Sequence, residues 1–201
     1  MSGLRTGSSR VARITKMNPK RKIIVYITTS VDGYIARSDG DVAWLNRPMP
    51  KGNYGMGEFL KSIDTILWGR KTYSKGIEMG MEKQMASGFG PGIQNYLFSR
   101  QAQKSRAPGF ELVSEPIKAF AKELRKKRGK NIWMMGGSEI IASFLDEGEI
   151  DEFQINVVPI LIGEGIPLIQ PRHRFVRLKM LCCKEFSDGL VSRRYQVSQK
   201  Q

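Results

Sequence analysis

The sequence predicts an α/β fold, because apolar strands that fit the interior of a sheet are followed directly by helix starts. The run Ile23–Thr29 is continuous and β-branched, as expected of a central strand covered on both faces. At residues 130–145 an apolar strand, a two-glycine turn and an amphipathic helix follow one another without interruption. A second apolar strand at 64–68 also ends in a glycine with a helix start behind it.

The remaining elements are predicted in chain order. A short apolar run at 34–36 follows the Asp32-Gly33 turn, and 53–61 carries a weak helical pattern. Residues 74–94 hold a short helix and an irregular glycine-rich excursion, before strands at 95–98 and 110–113 and a helix at 116–128. The segment 150–162 predicts a long strand, bent or ended near Pro159. An antiparallel hairpin is predicted from 173–185 and 190–197.

Length and composition indicate one globular domain. The 201 residues suffice for one core, and 40% hydrophobic with 26% charged residues is ordinary for such a domain. No run approaches the ~20 apolar residues of a membrane span. The two cysteines are adjacent, which excludes a disulfide framework and favours a reducing, cytoplasmic location. Without a cluster of histidines and cysteines, we predict no metal site.

The net charge of +14 is concentrated at the N-terminus, where residues 1–22 carry half of it and no acidic residue. We predict a disordered basic leader at 1–22, with an organelle transit peptide or an extension before a start at Met17 as alternatives, and one domain at 23–201. A basic surface attracts nucleotide cofactors as well as nucleic acids, so the charge does not choose between them.

Three strand ends carry residues suited to phosphate. Gly136 and Gly137 leave the backbone bare before a helix that Ser138 can cap, which is typical of a phosphate site and also of a tight turn. At the second strand end Gly69 permits the turn, Thr72 offers a hydroxyl and Arg70 a cation. After the third, a Ser-Arg pair at 99–100 could bind the 2′-phosphate that distinguishes NADPH from NADH, or form a turn with a solvated arginine.

Four stretches in this order resemble the dihydrofolate reductase-like family, and within it the reductase domain of bacterial riboflavin-biosynthesis deaminase/reductases and its standalone relatives. They are Thr-Ser-Val-Asp-Gly-Tyr-Ile-Ala at 29–36, Trp-Gly-Arg-Lys-Thr-Tyr at 68–73, Ile-Trp-Met-Met-Gly-Gly-Ser-Glu-Ile-Ile at 132–141, and the run 151–168. The resemblance covers residues 22–198. It implies a three-layer α/β fold, with helices flanking a mixed, mostly parallel sheet of about eight strands.

The resemblance further implies that NADPH binds across the carboxyl ends of the strands and that a hydride passes to a C=N or C=O group. The loop ending at Trp44 is the natural lid, or a plain surface loop. The residues implied in cofactor binding are Gly69, Arg70 and Thr72 for the phosphates, Ser99 and Arg100 for the 2′-phosphate, Gly136, Gly137, Ser138, Glu139 and Ile140 for the pyrophosphate, and Thr28, Ile35 and Ala36 for the nicotinamide.

The sequence departs from these relatives at two substrate-handling positions. Riboflavin-pathway reductases usually carry lysine where this chain has Tyr34, and an acidic residue where it has Met135. We therefore predict an NADPH-dependent reductase of another small heterocycle, pterin-, pyrimidine- or flavin-like. Asp32 and Glu58 are the candidate catalytic carboxylates, although Asp32 could instead cap its own turn and Glu58 could be a solvated helix residue. Dihydrofolate reductase has a carboxylate that faces the pterin, in the helix before the Gly-Arg-x-Thr strand. The residues nearest to that position in this chain are Asn53 and Glu58.

Two other function classes stay open, a nucleotide-binding module without turnover and a nucleic-acid binder. For the reductase we expect a small-molecule substrate, no nucleic acid or membrane partner, and a homodimer, since relatives often form one.

Overall fold

The computed structural model describes residues 20–48, 50, 52–99 and 108–198. Ten strands lie in these ranges: β1 Ile23–Thr29, β2 Tyr34–Ala36, β3 Ile63–Gly69, β4 Gln94–Phe98, β5 Phe110–Val113, β6 Asn131–Gly136, β7 Glu152–Val157, β8 Ile166–Pro167, β9 Leu178–Glu185 and β10 Val191–Val197. The helices are α1 Met56–Lys61, α2 Arg70–Glu78, α3 Glu82–Ala86, α4 Ile117–Lys126 and α5 Ser138–Asp146, with 3₁₀ turns at Ala43–Leu45 and Asn53–Gly55.

Eight of the strands form one sheet in the order β5-β4-β3-β6-β1-β7-β10-β9. Neighbours from β5 to β7 are parallel, whereas β10 is antiparallel to both β7 and β9. The predicted mixed, mostly parallel sheet is thus confirmed. β2 and β8 pair separately as a small antiparallel sheet.

Helices cover both faces of the large sheet. Phe120 of α4 and Phe144 of α5 pack on one face, and Phe59 of α1 and Met85 of α3 on the other. Along β1, Val25 and Tyr26 point into opposite layers and both are buried. This burial on both sides is what the continuous β-branched run predicted.

Of the segment predicted as a strand at 150–162, Glu152–Val157 forms β7, which ends two residues before Pro159, where the prediction placed a bend or an end. The backbone N–H of Val158 still donates to Thr29, but Pro159 has no N–H to continue the ladder. The chain then turns back, and the N–H of Val31 donates to the carbonyl of Ile160.

Two boundaries differ from the prediction. The hairpin starts at Leu178 instead of residue 173, and the excursion after residue 74 contains α3. α3 has only five residues and is held by burial of Met85, whose sulfur occupies the place where a side chain on Gly76 would begin. Such a long-range fit leaves no periodic signal in the sequence.

Ion pairs close the amino ends of the strands. Arg21 is 6% exposed and its guanidinium pairs with Asp64, while Arg125 pairs with Asp151 at 2.6 Å. The folded domain therefore includes Arg21, at the end of the predicted leader; leader residues 1–19 lie outside the described residues. No helix in the described ranges is long and apolar enough to span a membrane. The opposite edge of the sheet, at the carboxyl ends, carries most of the predicted site residues.

Candidate active site

The glycines that end β3 and β6 lie side by side. Trp68 pairs with Gly136 in the parallel ladder. A side chain on Gly69 would begin 3.0 Å from the carbonyl oxygen of Gly136 and 3.1 Å from the backbone nitrogen of Gly137. The two predicted strand ends therefore meet as bare backbone.

The helices behind these strand ends leave toward opposite faces of the sheet. Tyr73 of α2 packs in the layer of α1 and α3, whereas Ile141 of α5 packs in the layer of α4. Neighbouring parallel strands with helices on opposite faces open a crevice at their carboxyl ends, where α/β proteins bind ligands. The first turns of both helices, with their backbone N–H groups, border this crevice.

The two-glycine turn has a backbone that other residues rarely adopt. Gly136 has a φ of 110°, in the region that favours glycine, and the Gly136-Gly137 peptide bond is cis. A side chain on Gly137 would begin 3.0 Å from the Thr72 hydroxyl oxygen. Thr72 thus stands next to the turn.

Ser138 adds a hydroxyl that has no hydrogen-bond partner among the described residues, although the residue is only 5% exposed. Buried hydroxyls normally have partners, since leaving one unpaired costs about 1–3 kcal/mol. A ligand oxygen at the start of α5 would supply the missing partner. At the rim, Lys71 pairs with Glu139 at 2.8 Å and links the starts of α2 and α5.

The residues predicted to bind the 2′-phosphate are described only in part. β4 lies next to β3, with Phe98 opposite Gly69, so Ser99 follows on the same edge of the sheet. Ser99 is 7% exposed, and its backbone N–H donates to the carbonyl of Val113. Arg100 lies outside the described residues.

The predicted nicotinamide residues divide between two places. Thr28 lies near the end of β1, and the methyl carbon Cδ1 of the preceding Ile27 is 3.7 Å from where a side chain on Gly136 would begin. Ile35 and Ala36 belong to β2, where Ala36 is opposite Ile166 of β8. Thr28 therefore flanks the crevice, and the other two lie in the small sheet that follows β1.

A comparison with protein-family models decides the family, because the RibD C-terminal domain model matches residues 21–192. The chain belongs to the RibD C-terminal domain family. Two uncharacterized proteins of Bacillus subtilis (strain 168) are similar to it: YwjB, 31% identical over 172 residues that cover 85% of this chain and 95% of YwjB, and YyaP, 31% identical over 179 residues that cover 86% and 93%.

Solved structures agree with the predicted dihydrofolate reductase-like fold. A protein named for riboflavin biosynthesis from Shewanella sp. PV-4 superposes with a TM-score of 0.75 at 25% identity, over 89% of this chain and 99% of that one. The Thermotoga maritima deaminase/5-amino-6-(5-phosphoribosylamino)uracil reductase gives 0.66 at 15%, over 89% and 57%. Enterococcus faecalis dihydrofolate reductase, complexed with NADP(H), gives 0.60 at 11%, over 89% and 97%.

In this RibD C-terminal domain, the two candidate catalytic carboxylates lie in unlike surroundings. Asp32 is exposed and accepts hydrogen bonds from the backbone N–H groups of Ile162 and Gly163, at 3.1 and 2.7 Å. The Ser30 hydroxyl and these two amides lower the pKa of Asp32. The carboxyl is therefore ionised at neutral pH and holds the loop after β7. Glu58 is exposed on α1, beside the inward-facing Phe59.

The sequence reasoning missed a contact between Arg47 and Tyr54, which follow the predicted lid, and the β9–β10 turn. Tyr54 donates to the Asp188 carboxylate at 2.5 Å, and Arg47 pairs with the same carboxylate at 3.1 Å. The Tyr54 ring also packs edge-on against Phe186, with 5.1 Å between ring centroids. Ser187-Asp188-Gly189 reads in sequence only as a turn, so no local signal indicates this partner.

Proposed function

We propose that this RibD C-terminal domain is an NADPH-dependent reductase that transfers a hydride to a small heterocyclic acceptor. The observation that carries the proposal is the meeting of Gly69 and Gly137 as bare backbone between two diverging helix starts. An extended, doubly phosphorylated cofactor needs such a close approach to the main chain together with hydrogen-bond donors.

The residues present fit that cofactor. Gly69, Thr72, Gly137 and Ser138 would hold its pyrophosphate, because they combine free approach to the backbone with two hydroxyls. Arg70, which is exposed at the start of α2, would meet the adenosine-side phosphate. Bound NADPH would supply the hydride. Thr28, Ile35 and Ala36 would line its nicotinamide.

The protein's own task would be to position the acceptor and to exclude water. The segment between β2 and α1 is fastened to the β9–β10 turn through Arg47, Tyr54 and Asp188, so it can cover the α1 side of the site. Asp32 is assigned a positioning role, since it fixes residues 162–163 beside β2. A proton would reach the product from a group other than this ionised carboxylate.

A differential thermal-shift measurement tests the cofactor. NADPH should raise the melting temperature more than NADH does, because only NADPH carries the 2′-phosphate. The same protein should then oxidise NADPH with at least one member of a panel of pterins, flavins and aminopyrimidines. Equal shifts with both cofactors would contradict 2′-phosphate recognition, and no shift with either would end the proposal.

A second candidate is a nucleotide-binding module without turnover. This candidate is favoured by the surroundings of the two candidate catalytic carboxylates. Asp32 is engaged with backbone amides and Glu58 faces solvent, so neither is placed to transfer a proton. This candidate predicts an NADPH-specific thermal shift without NADPH oxidation by any member of the panel.

The homodimer also stays a prediction, which light scattering of the purified protein tests.

A further inference from the structure

A cavity of about 570 Å³ lies on the α1 side of the sheet, between α1, the end of α3 and β6. We propose that this cavity binds a planar, uncharged heteroaromatic ring, the acceptor ring of the reductase proposed above, on which this assignment rests. Its volume falls in the range of ligand sites, about 300–1,000 Å³. The described residues that line it are Asn53, Met56, Leu60, Gln84, Ser87, Phe89, Gly90 and Trp133.

Two aromatic side chains form fixed walls of the cavity. The rings of Phe89 and Trp133 are 5.8 Å apart between centroids and inclined at 43°. The Trp133 indole N–H donates to the Tyr26 carbonyl at 3.0 Å and Phe59 packs edge-on at 5.4 Å between ring centroids, so the indole is held in one position. Phe89 also stacks on Trp68, with an interplanar angle of 13°. Rings held in this way favour a flat, aromatic occupant.

The backbone on two sides of the cavity adopts left-handed conformations that side chains disfavour. Asn53 has a φ of 43° and Phe89 a φ of 63°. Within the described ranges the only other non-glycine residue with positive φ is Tyr54, next to Asn53. A bulky residue such as Phe89 is rare in this region, and such outliers cluster at ligand sites. Both outliers that line the cavity thus help to set its shape.

The polar groups of the lining suit a neutral heterocycle better than an anion. The described lining residues carry no charge, and their polar members are the amides of Asn53 and Gln84 and the Ser87 hydroxyl. Amides both donate and accept, which matches ring carbonyl and N–H groups. A phosphate group here would lose its hydration without a cation to replace it. The occupant should therefore lack a phosphate.

The cavity lies on the face of β6 that leads to the crevice. Trp133 and Met135 alternate onto the same layer, and Gly136 follows. Trp133 is three residues from Gly136, which corresponds to roughly 10 Å along a strand. An acceptor seated by its ring in the cavity can therefore extend toward the strand end where the cofactor is proposed to bind.

Three probes with related ring systems test the assignment: lumichrome, which has no side chain, riboflavin, with an uncharged ribityl chain, and FMN, with a phosphate. Their dissociation constants are measured by fluorescence quenching on the full chain without cofactor. Lumichrome and riboflavin should bind at least tenfold more tightly than FMN. Equal or tighter FMN binding would overturn the preference for a neutral occupant, and no binding by any probe would overturn the site.

Variants at the rim locate the binding. Ser87→Trp should fill the entrance and weaken lumichrome binding at least tenfold, whereas Lys83→Trp, on exposed α3 surface outside the lining, should leave it unchanged. Gln84→Arg adds a cation at the rim, so it should reduce the ratio of the FMN dissociation constant to the lumichrome dissociation constant. Equal effects of Ser87→Trp and Lys83→Trp would place the site elsewhere. If the probes bind but NADPH causes no thermal shift, the reductase proposal fails and the ring-binding cavity stands. If NADPH causes a thermal shift but no probe binds, the cavity proposal fails and the reductase proposal stands.

Discussion

The backbone nitrogen of Gly137 lies 3.1 Å from the point where a side chain on Gly69 would begin. Gly69 itself has an ordinary extended backbone, with φ −82° and ψ 146°, so only the lack of space requires glycine there. The two residues end neighbouring strands and together form the floor of the proposed cofactor site.

Gly69→Ala should therefore weaken NADPH binding at least tenfold and lower the free energy of unfolding by about 1–3 kcal/mol, because main-chain atoms must move. Gly57→Ala is the matched control, since Gly57 lies in α1 and, apart from its chain neighbours and the backbone of its own helix, no atom lies within 4 Å of the added methyl. This control should be neutral or stabilise the protein by up to about 1 kcal/mol. Urea unfolding and calorimetric titration with NADPH measure both quantities. A Gly69→Ala protein that matched the control would refute the packing argument.

Ser138→Ala should change stability and cofactor affinity in opposite directions. The buried hydroxyl has no partner among the described residues, so its removal should stabilise the cofactor-free protein by about 1 kcal/mol. The same change should reduce NADPH affinity about fivefold or more, because a donor to the phosphate is lost. Thermal unfolding with and without NADPH gives both signs in one experiment. A loss of stability without cofactor would show that the hydroxyl is satisfied in the free protein.

Asp32→Asn should lower the melting temperature without removing an ionisation from the pH profile of NADPH oxidation. The carboxylate holds the N–H groups of residues 162 and 163, and the Ser30 hydroxyl leads the interactions that lower its pKa. It is therefore ionised throughout the neutral range and supplies no proton there. Glu58→Gln should change neither quantity, since Glu58 is exposed. Loss of an acidic limb from the profile in either variant would identify that residue as the proton donor.

Tyr54→Phe should loosen the segment before α1 while leaving the core intact. The substitution removes the hydrogen bond to Asp188 and keeps the aromatic contact with Phe186. Hydrogen exchange of the peptide that contains residues 43–55 should become faster, with little change in β1 or β6. The Tyr54 hydroxyl leads the interactions that lower the pKa of Asp188, so the protection of this wild-type peptide, corrected for the intrinsic pH dependence of exchange, should fall only as acid protonates that carboxyl. Glu78→Gln, at a surface pair with Lys75, is the control and should leave the exchange unchanged.

Glu152→Gln should flatten the acid side of the stability profile. Glu152 is 1% exposed and pairs with Lys22 at 2.6 Å and Arg194 at 2.7 Å. Burial alone raises the pKa of Glu152, but the hydrogen bonds from Lys22 and Arg194 outweigh it and lower the pKa below its usual value. The stabilisation is therefore full above about pH 4.3, the usual unfolded value, and is lost as pH falls through the folded value.

At neutral pH the Gln variant should be about 1.5–3 kcal/mol less stable, the usual worth of hydrogen bonds to a charged group. The difference from wild type should shrink below pH 4, as measured by urea unfolding across the acid range. A difference that stayed constant with pH would show that the loss comes from packing and not from charge.

Local patterns in the sequence predicted much of the fold. A β-branched run marks β1, and glycines mark the ends of β3 and β6, because strand burial and turn conformation depend on neighbouring residues. The same reasoning failed where an element depends on a distant partner. α3 exists because Met85 fills the space above Gly76, which no local pattern indicates, whereas Pro159 marked the end of β7 in the sequence.

The sequence by itself determined that residues suited to bind phosphate stand at successive strand ends, since each motif is a short contiguous run. Because parallel strands end at one edge of a sheet, these motifs were also expected to lie close together. Only the tertiary structure decided what surrounds them. The contacts of Asp32 with Ile162 and of Tyr54 with Asp188 join residues 130 and 134 positions apart. The cavity beside Trp133 likewise draws its lining from α1, the segment after α3 and β6. Contacts between residues so far apart in sequence arise from the packing of layers. The spacing of residues along the chain does not encode this packing.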